Sequence, residues 1–326
     1  MSLKSYLPDY NGSESLEKFV QRWLHIPKTS DRRLRKELHR IFIYLHDFPA
    51  YFNYGNGYTR KTKKTISMIV KGGSLGKATA VRRTADLDLI VFFNGYSSME
   101  KFIEDKTRPG GILDKLSAYL TADDIDSKHW IAEPRSGQFH ITLNMEATET
   151  RYDIRVEVLP AINVIGSKIY EGCNMDPVYV DMARKSEEIR EHYSTCLVQK
   201  QRQFVRKQSS GVKNLIKLIK YWKNENDLEI KSYMCELLAV HVARQGYHSM
   251  RSGFQGVLDL LVNYDSLKIT FSDFYQPMKW EKYFPRSPYV IDPANPFQNT
   301  CMENITVTEK KEIESCAMNT RECLNM

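Results

Sequence analysis

The chain has 326 residues, is 42% hydrophobic and 27% charged, and carries a formal net charge of +7. Such a composition excludes a disordered or fibrous chain and suffices for one large domain or two lobes that share a core. No apolar run approaches the roughly 20 residues needed to cross a bilayer, and the opening MSLKSYLPDYNGSES has no apolar leader segment, so a soluble, cytoplasmic protein with no membrane partner is expected.

SESLEKFVQRWL opens on a serine cap and has helical spacing. In DRRLRKELHRIFIYLHDF, Leu34, Leu38, Ile41 and Leu45 recur at helical spacing, with Arg33, Lys36 and Arg40 on another face. TISMIVKGG reads as a strand that runs into a glycine turn, and LDLIVFF as a largely buried strand. GILDKLSAYLTA is helical, whereas KHWIAEP, QFHITLNM and RYDIRVEVLPA read as strands. From about Asp176 the pattern turns helical, most clearly in VKNLIKLIKYWK and SYMCELLAVHVARQ. The last stretch, TVTEKKEIESCAMNTRECLNM, is expected to be a short helix or a frayed tail. The predicted architecture is α+β, with an N-terminal lobe over 1–165 and a helical lobe over 166–326. Six cysteines scattered without a CxxC pair predict reduced thiols rather than a disulfide frame or a zinc site.

The segment KGGSLGKATAVRRTADLDLIVFFNG, residues 71–95, carries the chemistry. It is not a Walker A loop: three residues separate Gly72 from Gly76, and Ala78 follows Lys77 where a serine or threonine would bind magnesium. By themselves the glycines make only a tight turn. Asp86 and Asp88, two apart at the head of a strand, occupy one face. Adjacent carboxylates tolerate each other when a cation lies between them, and magnesium favours carboxylate oxygens plus substrate phosphates. The pattern therefore predicts a nucleoside triphosphate held by the amides of the turn and by metal on the aspartates. A further carboxylate from a neighbouring strand is needed. RYDIRVEVLPA offers Asp153 and Glu157, four apart on one face, and Glu157 is preferred because the apolar VLPA follows it.

These residues resemble the 2′,5′-oligoadenylate synthetases, within the wider group of cyclic GMP–AMP synthase-like nucleotidyltransferases. VKGGSLGKATAVRRTADLDLIVFF is similar to that family's glycine-serine turn and metal-binding aspartates. VEVLPAINVIG is similar to its third-carboxylate strand, VKNLIKLIKYWK to its basic helix, and PYVIDPANP to its C-terminal lobe motif. The likeness runs from about residue 14 to about residue 300, with the motifs in order. It implies a polymerase-β-like nucleotidyltransferase core with a helical C-terminal lobe. The implied activity is double-stranded-RNA-activated synthesis of 2′-5′-linked nucleotides from ATP in antiviral innate defence, by a monomer. Two Mg²⁺ ions, or Mn²⁺ in their place, would be held by Asp86, Asp88 and Glu157. Gly73, Ser74, Lys220, Ser232 and Tyr233 match positions that hold the donor's phosphates or base.

Two departures keep rivals in play. The third acid is a glutamate where the family has aspartate, which allows a catalytically silent RNA-binding relative. Ser232 stands where oligoadenylate synthetases carry glutamine, as in the cyclic-dinucleotide branch, which would join ATP and GTP. For the activator, Arg33, Lys36 and Arg40, with Arg202, Arg206, Lys207, Lys213 and Lys217, are expected to form one basic surface. Duplex RNA, read through its shape and phosphates, suits such a sequence-blind groove.

Overall fold

In a computed structural model the described residues are 2–26, 36, 39–48, 64–82, 86–121, 135–136, 141–145, 154–166 and 174–325. Of positions 86, 121, 135–136, 141–145 and 154–155 only the backbone is described. The strand expected over KHWIAEP, Arg33, Leu34, Leu38, Asp153 and Cys173 lie outside the described residues.

The chain opens with the helix α1 (Leu16–Phe19), which widens into a π turn over Val20–Leu24. Ser15, the second serine of SESLEKFVQRWL, caps it, its hydroxyl accepting from the Lys18 N–H at 3.3 Å. Helix α2 covers residues 39–48, with Ile41 and Leu45 buried as their spacing predicts. Then come β1 (Ile66–Lys71), the five-residue helix α3 (Gly73–Lys77) and β2 (Asp86–Phe93). They are followed by α4 (Met99–Thr107), α5 (Ile112–Thr121), β3 (Arg135–Ser136), β4 (Ile141–Met145) and β5 (Ile154–Ile162). The five strands form one sheet in the order β1-β2-β5-β4-β3. β2 runs antiparallel to β1 and parallel to β5, which pairs antiparallel with β4. As a central strand, β2 is covered on both faces, with Leu87 through Phe93 all buried except half-buried Asp88.

Helices α6 (Asp176–Ala183), α7 (Glu187–Cys196), α8 (Val198–Arg206), α9 (Ser210–Glu225), α10 (Ser232–Gln245) and α11 (Met250–Val262) follow. The helical reading of this half missed a small sheet. β6 (Lys268–Ile269) pairs parallel with β7 (Tyr289–Asp292), and β7 antiparallel with β8 (Asn295–Asn299). A one-turn helix, α12 (Pro277–Trp280), precedes β7. These strands are too short, and too interrupted by proline, to show an alternating pattern.

The described chain folds as two compact units, one of Met1–His25, Ala78–Arg82 and Lys200–Met326, the other of Ile26–Lys77 and Arg83–Gln199. This division differs from the one expected at 165/166. Leu7, Leu16, Phe19 and Leu24 join Leu215, Ile219, Leu238 and Phe254 in one apolar core, which assigns the N-terminus to the unit of α9–α11. Helix α7, in turn, packs on β5 and α4 of the sheet unit.

The C-terminal tail is also a difference. It is a 19-residue helix, α13 (Val307–Asn325), that buries Ile313, Ala317, Thr320 and Leu324 along one side and packs on α11. Thr306 and Glu309 cap its start: the Thr306 hydroxyl accepts from the Glu309 N–H at 3.2 Å, and the Glu309 carboxylate accepts from the Thr306 N–H at 2.7 Å. Indole Nε1 of Trp222 donates to the Thr320 hydroxyl at 2.9 Å in the interior. Its charged outer face hid the length of this helix in the sequence. Ile313, wholly buried, makes it testable: Ile313→Ala should cost about 2–5 kcal/mol by chemical denaturation, whereas a frayed tail would lose nothing measurable.

Candidate active site

The turn that follows β1 is built by contact with β2. The Gly72 N–H donates to the Asp88 carbonyl at 2.7 Å. A Cβ on Gly72 would stand 2.6 Å from Ile90 Cδ1 and 3.2 Å from Asp88 Cβ, so any larger residue would displace the end of the Ile90 side chain. Gly73 has φ 58°, in the left-handed region, and a Cβ on Gly76 would stand 2.2 Å from the Lys71 carbonyl oxygen. The glycines therefore serve a close approach and one turn of helix, α3, where the sequence suggested only a turn. Gly73 and half-buried Ser74 open that helix.

Pairing of β2 with β5 brings the acids together. In the parallel register Asp88 stands opposite Glu157 and Asp86 opposite Arg155. Paired strands lie about 4.8 Å apart, so the Asp88 and Glu157 carboxylates rise side by side from one face. Both are half-buried. Position 86 lies two residues before Asp88 on the same strand; its side chain is not described. Like charges directly opposite on a sheet repel, which makes this face a place for a cation. Among the described residues no group of three or more His, Cys, Asp and Glu side chains stands together as a metal site. The donors described here are two carboxylates, hard oxygen ligands of the kind Mg²⁺ takes, and they fit that ion and not zinc.

Lys220, Ser232 and Tyr233 belong to the other unit. Ser232 is exposed at the start of α10, and Tyr233 follows it half-buried. The Tyr233 hydroxyl donates to Asp292 Oδ1 at 3.0 Å, and burial, then the Asp292 charge, raise the phenol pKa well above its ordinary value. Lys220 is 5% exposed, and its ammonium donates to Glu236 Oε1 at 2.5 Å and to the Thr79 hydroxyl at 3.2 Å. Thr79 donates in turn to the same carboxylate oxygen at 2.6 Å. The partner of Lys220 in this structure is thus a buried carboxylate; the phosphate contact is what the family resemblance implies for it. Sequence reasoning passed over Glu236, Thr79 and Asp292. One signal was legible: Glu236 is a lone charge in the apolar run YMCELLAV, and a buried charge requires a partner.

The cations expected to form one basic surface come from both units. Lys36, exposed, and Arg40, half-buried, lie in the sheet unit; Arg202, Arg206, Lys207, Lys213 and Lys217 lie in the other. Within the latter, Arg206 and Lys207 are exposed and Arg202 and Lys213 half-buried. Lys207 is engaged by Asp273 at 2.5 Å, and Arg244 pairs with the same carboxylate at 2.7 Å. The Lys213 ammonium donates to the Arg206 carbonyl at 2.6 Å. Lys217 is buried, and burial first, then Lys213 and Lys220, bring its pKa down to about 8. Spacing alone placed Lys217 with the surface cations, because a helix period shows which residues share a face but not how much of that face is covered.

The sheet, its glycine turn and the paired acids define a nucleotidyltransferase fold. An Escherichia coli CdnC structure solved with ATP is 18% identical, with a TM-score of 0.62 over 95% of this chain and 90% of that one. The Cid1 poly(U) polymerase with Mg and 3′-dATP is 11% identical, with a TM-score of 0.55 over 95% and 93%. Within that fold the likeness to 2′-5′-oligoadenylate synthetases holds. Residues 174–326 match the family model for 2′-5′-oligoadenylate synthetase 1, domain 2, C-terminus. The chain is 29% identical to mouse 2′-5′-oligoadenylate synthase 3 over 317 residues, which are 88% of this chain and 26% of that relative. It is 28% identical to mouse 2′-5′-oligoadenylate synthase 1A over 265 residues, 73% of this chain and 71% of the relative. The chain thus spans about a quarter of the first relative and most of the second. Among the described residues no helix is long and apolar enough to cross a membrane.

Proposed function

We propose that this chain is a nucleotidyltransferase, switched on by double-stranded RNA, that joins ATP into 2′-5′-linked oligonucleotides with release of pyrophosphate. The observation that carries the chemistry is the register of Asp88 against Glu157 beside a glycine turn bonded to the Asp88 backbone. The linkage and the activator rest on the likeness to synthases of that name. Asp86, Asp88 and Glu157 would hold two Mg²⁺ ions. When bound, those ions supply Lewis acidity at the acceptor hydroxyl and at the leaving pyrophosphate. Glu157 is the carboxylate to receive the acceptor's proton, Gly73 and Ser74 hold the donor phosphates, and Tyr233 stacks on the donor base beside Ser232. The rest of the catalytic effect is positioning, with charge placed in advance.

The test is pyrophosphate release from ATP with magnesium, with and without duplex RNA, followed by chromatography of the product. RNA-dependent release with a linear 2′-5′ product is expected. A cyclic product from ATP and GTP would instead support the reading that Ser232 favours, and RNA binding without release would make the chain a silent relative.

The RNA surface is testable separately. Arg206 is exposed at the C-terminal end of α8, next to exposed Lys207. Arg206→Glu should weaken duplex RNA binding and lower the log–log salt slope by about 0.9 for each phosphate that is no longer neutralised, the duplex-DNA value carried over to RNA. Unchanged affinity and slope would move the surface elsewhere.

A further inference from the structure

Asp292 is wholly buried at the end of β7 and collects donors from three elements. Tyr233 of α10 donates to its Oδ1 at 3.0 Å, the Ala294 N–H of the loop that follows to Oδ1 at 2.8 Å, and Gln201 Nε2 of α8 to its Oδ2 at 2.5 Å. Its backbone carbonyl also accepts from the Tyr275 hydroxyl at 2.8 Å. A buried carboxylate is costly unless its oxygens are hydrogen-bonded, and one bound from three sides cannot shift without losing those bonds. A tyrosine kept only for packing needs no charge at its hydroxyl; phenylalanine would serve. Here the hydroxyl is drawn inside, where its raised pKa keeps it a donor, while the residue retains part of its surface open. Base stacking needs the ring plane held against rotation, and a hydrogen bond at the far end of the ring supplies that restraint.

We propose that Asp292 is a positioning residue for the donor base: it fixes the plane of the Tyr233 ring through the phenol O–H and is itself fixed by Gln201. This rests on the reading of Tyr233 as the residue that stacks on the base. A positioning role predicts an effect confined to ligands that have a base.

The experiment is calorimetric titration of the full chain, in magnesium, with a non-hydrolysable ATP analogue and with inorganic tripolyphosphate, which has no base. Tyr233→Phe keeps the ring and removes only the hydroxyl oxygen. It should weaken the analogue about threefold to tenfold, the worth of one hydrogen bond, and leave tripolyphosphate unchanged. Asp292→Ala, which removes the acceptor, should weaken the analogue in the same way, and the double variant should lose little more than Asp292→Ala alone, since the two share one interaction. Parent affinity in Tyr233→Phe with a loss in Tyr233→Ala overturns the positioning role and leaves the stacking reading standing. Parent affinity in Tyr233→Ala overturns both. An equal loss for the two ligands in Tyr233→Phe also overturns the proposal, since it marks general damage to the fold.

Discussion

Asp88→Asn should abolish nucleotidyl transfer, with a fall in kcat on the order of a thousandfold or more, the scale at which removal of a preorganised charge-stabilising group is felt. The substitution keeps the shape of a half-buried side chain and removes one of two charges that stand opposite each other on β2 and β5. Thermal stability should change little, because the shape of the side chain is kept. The Gly72 N–H would keep its acceptor, which is the backbone carbonyl of residue 88. Duplex RNA affinity should also hold. The measurement is pyrophosphate release at saturating magnesium beside a thermal melt; appreciable turnover in a well-folded Asp88→Asn would remove this residue from the metal site.

The second large effect is expected at Glu157. If the β5 backbone is set for the longer acid, Glu157→Gln abolishes activity and Glu157→Asp lowers it about a hundredfold, since a displacement near 1 Å has that cost at a reacting centre. Glutamate reaches one methylene further than the family's aspartate, so shortening it withdraws the carboxylate from its place beside Asp88. Rescue in the opposite direction would tell another story: a nearly silent parent revived by Glu157→Asp marks Glu157 as a remnant in an RNA-binding relative. A third result, loss in Asp153→Asn with activity kept in Glu157→Gln, would transfer the role to Asp153. In the observed register it is Glu157 that faces Asp88.

Local pattern made the elements of the site legible. The apolar run after Asp86 announced a strand covered on both faces, and β2 is that strand. Alternation put positions 86 and 88 on one side, and the order of motifs pointed to the synthetase likeness that the comparisons uphold. Less legible were elements whose stabilising partners are remote. α13 looks polar when read alone, because of its residues only Ile313, Ala317, Thr320 and Leu324 are buried. The short strands β6 to β8 exist by pairing with one another, too briefly for periodicity to register.

What the sequence determined by itself was therefore chemistry and local geometry: which residue types follow the glycine turn, which of them share a strand face, and which helix carries the cations. Only the tertiary structure decided their partners. Glu157 meets Asp88 because β2 and β5 pair in one register across some 70 residues of chain, and a slip by one would turn either acid to the opposite face. Lys220 meets Glu236 and Thr79, and Tyr233 meets Asp292, through contacts that join separate helices, loops and strands. Periodicity reports which way a side chain faces along its own element. What it faces is chosen by burial of apolar surface over the whole chain, and that same burial placed residues 1–25 in the unit of the C-terminal helices.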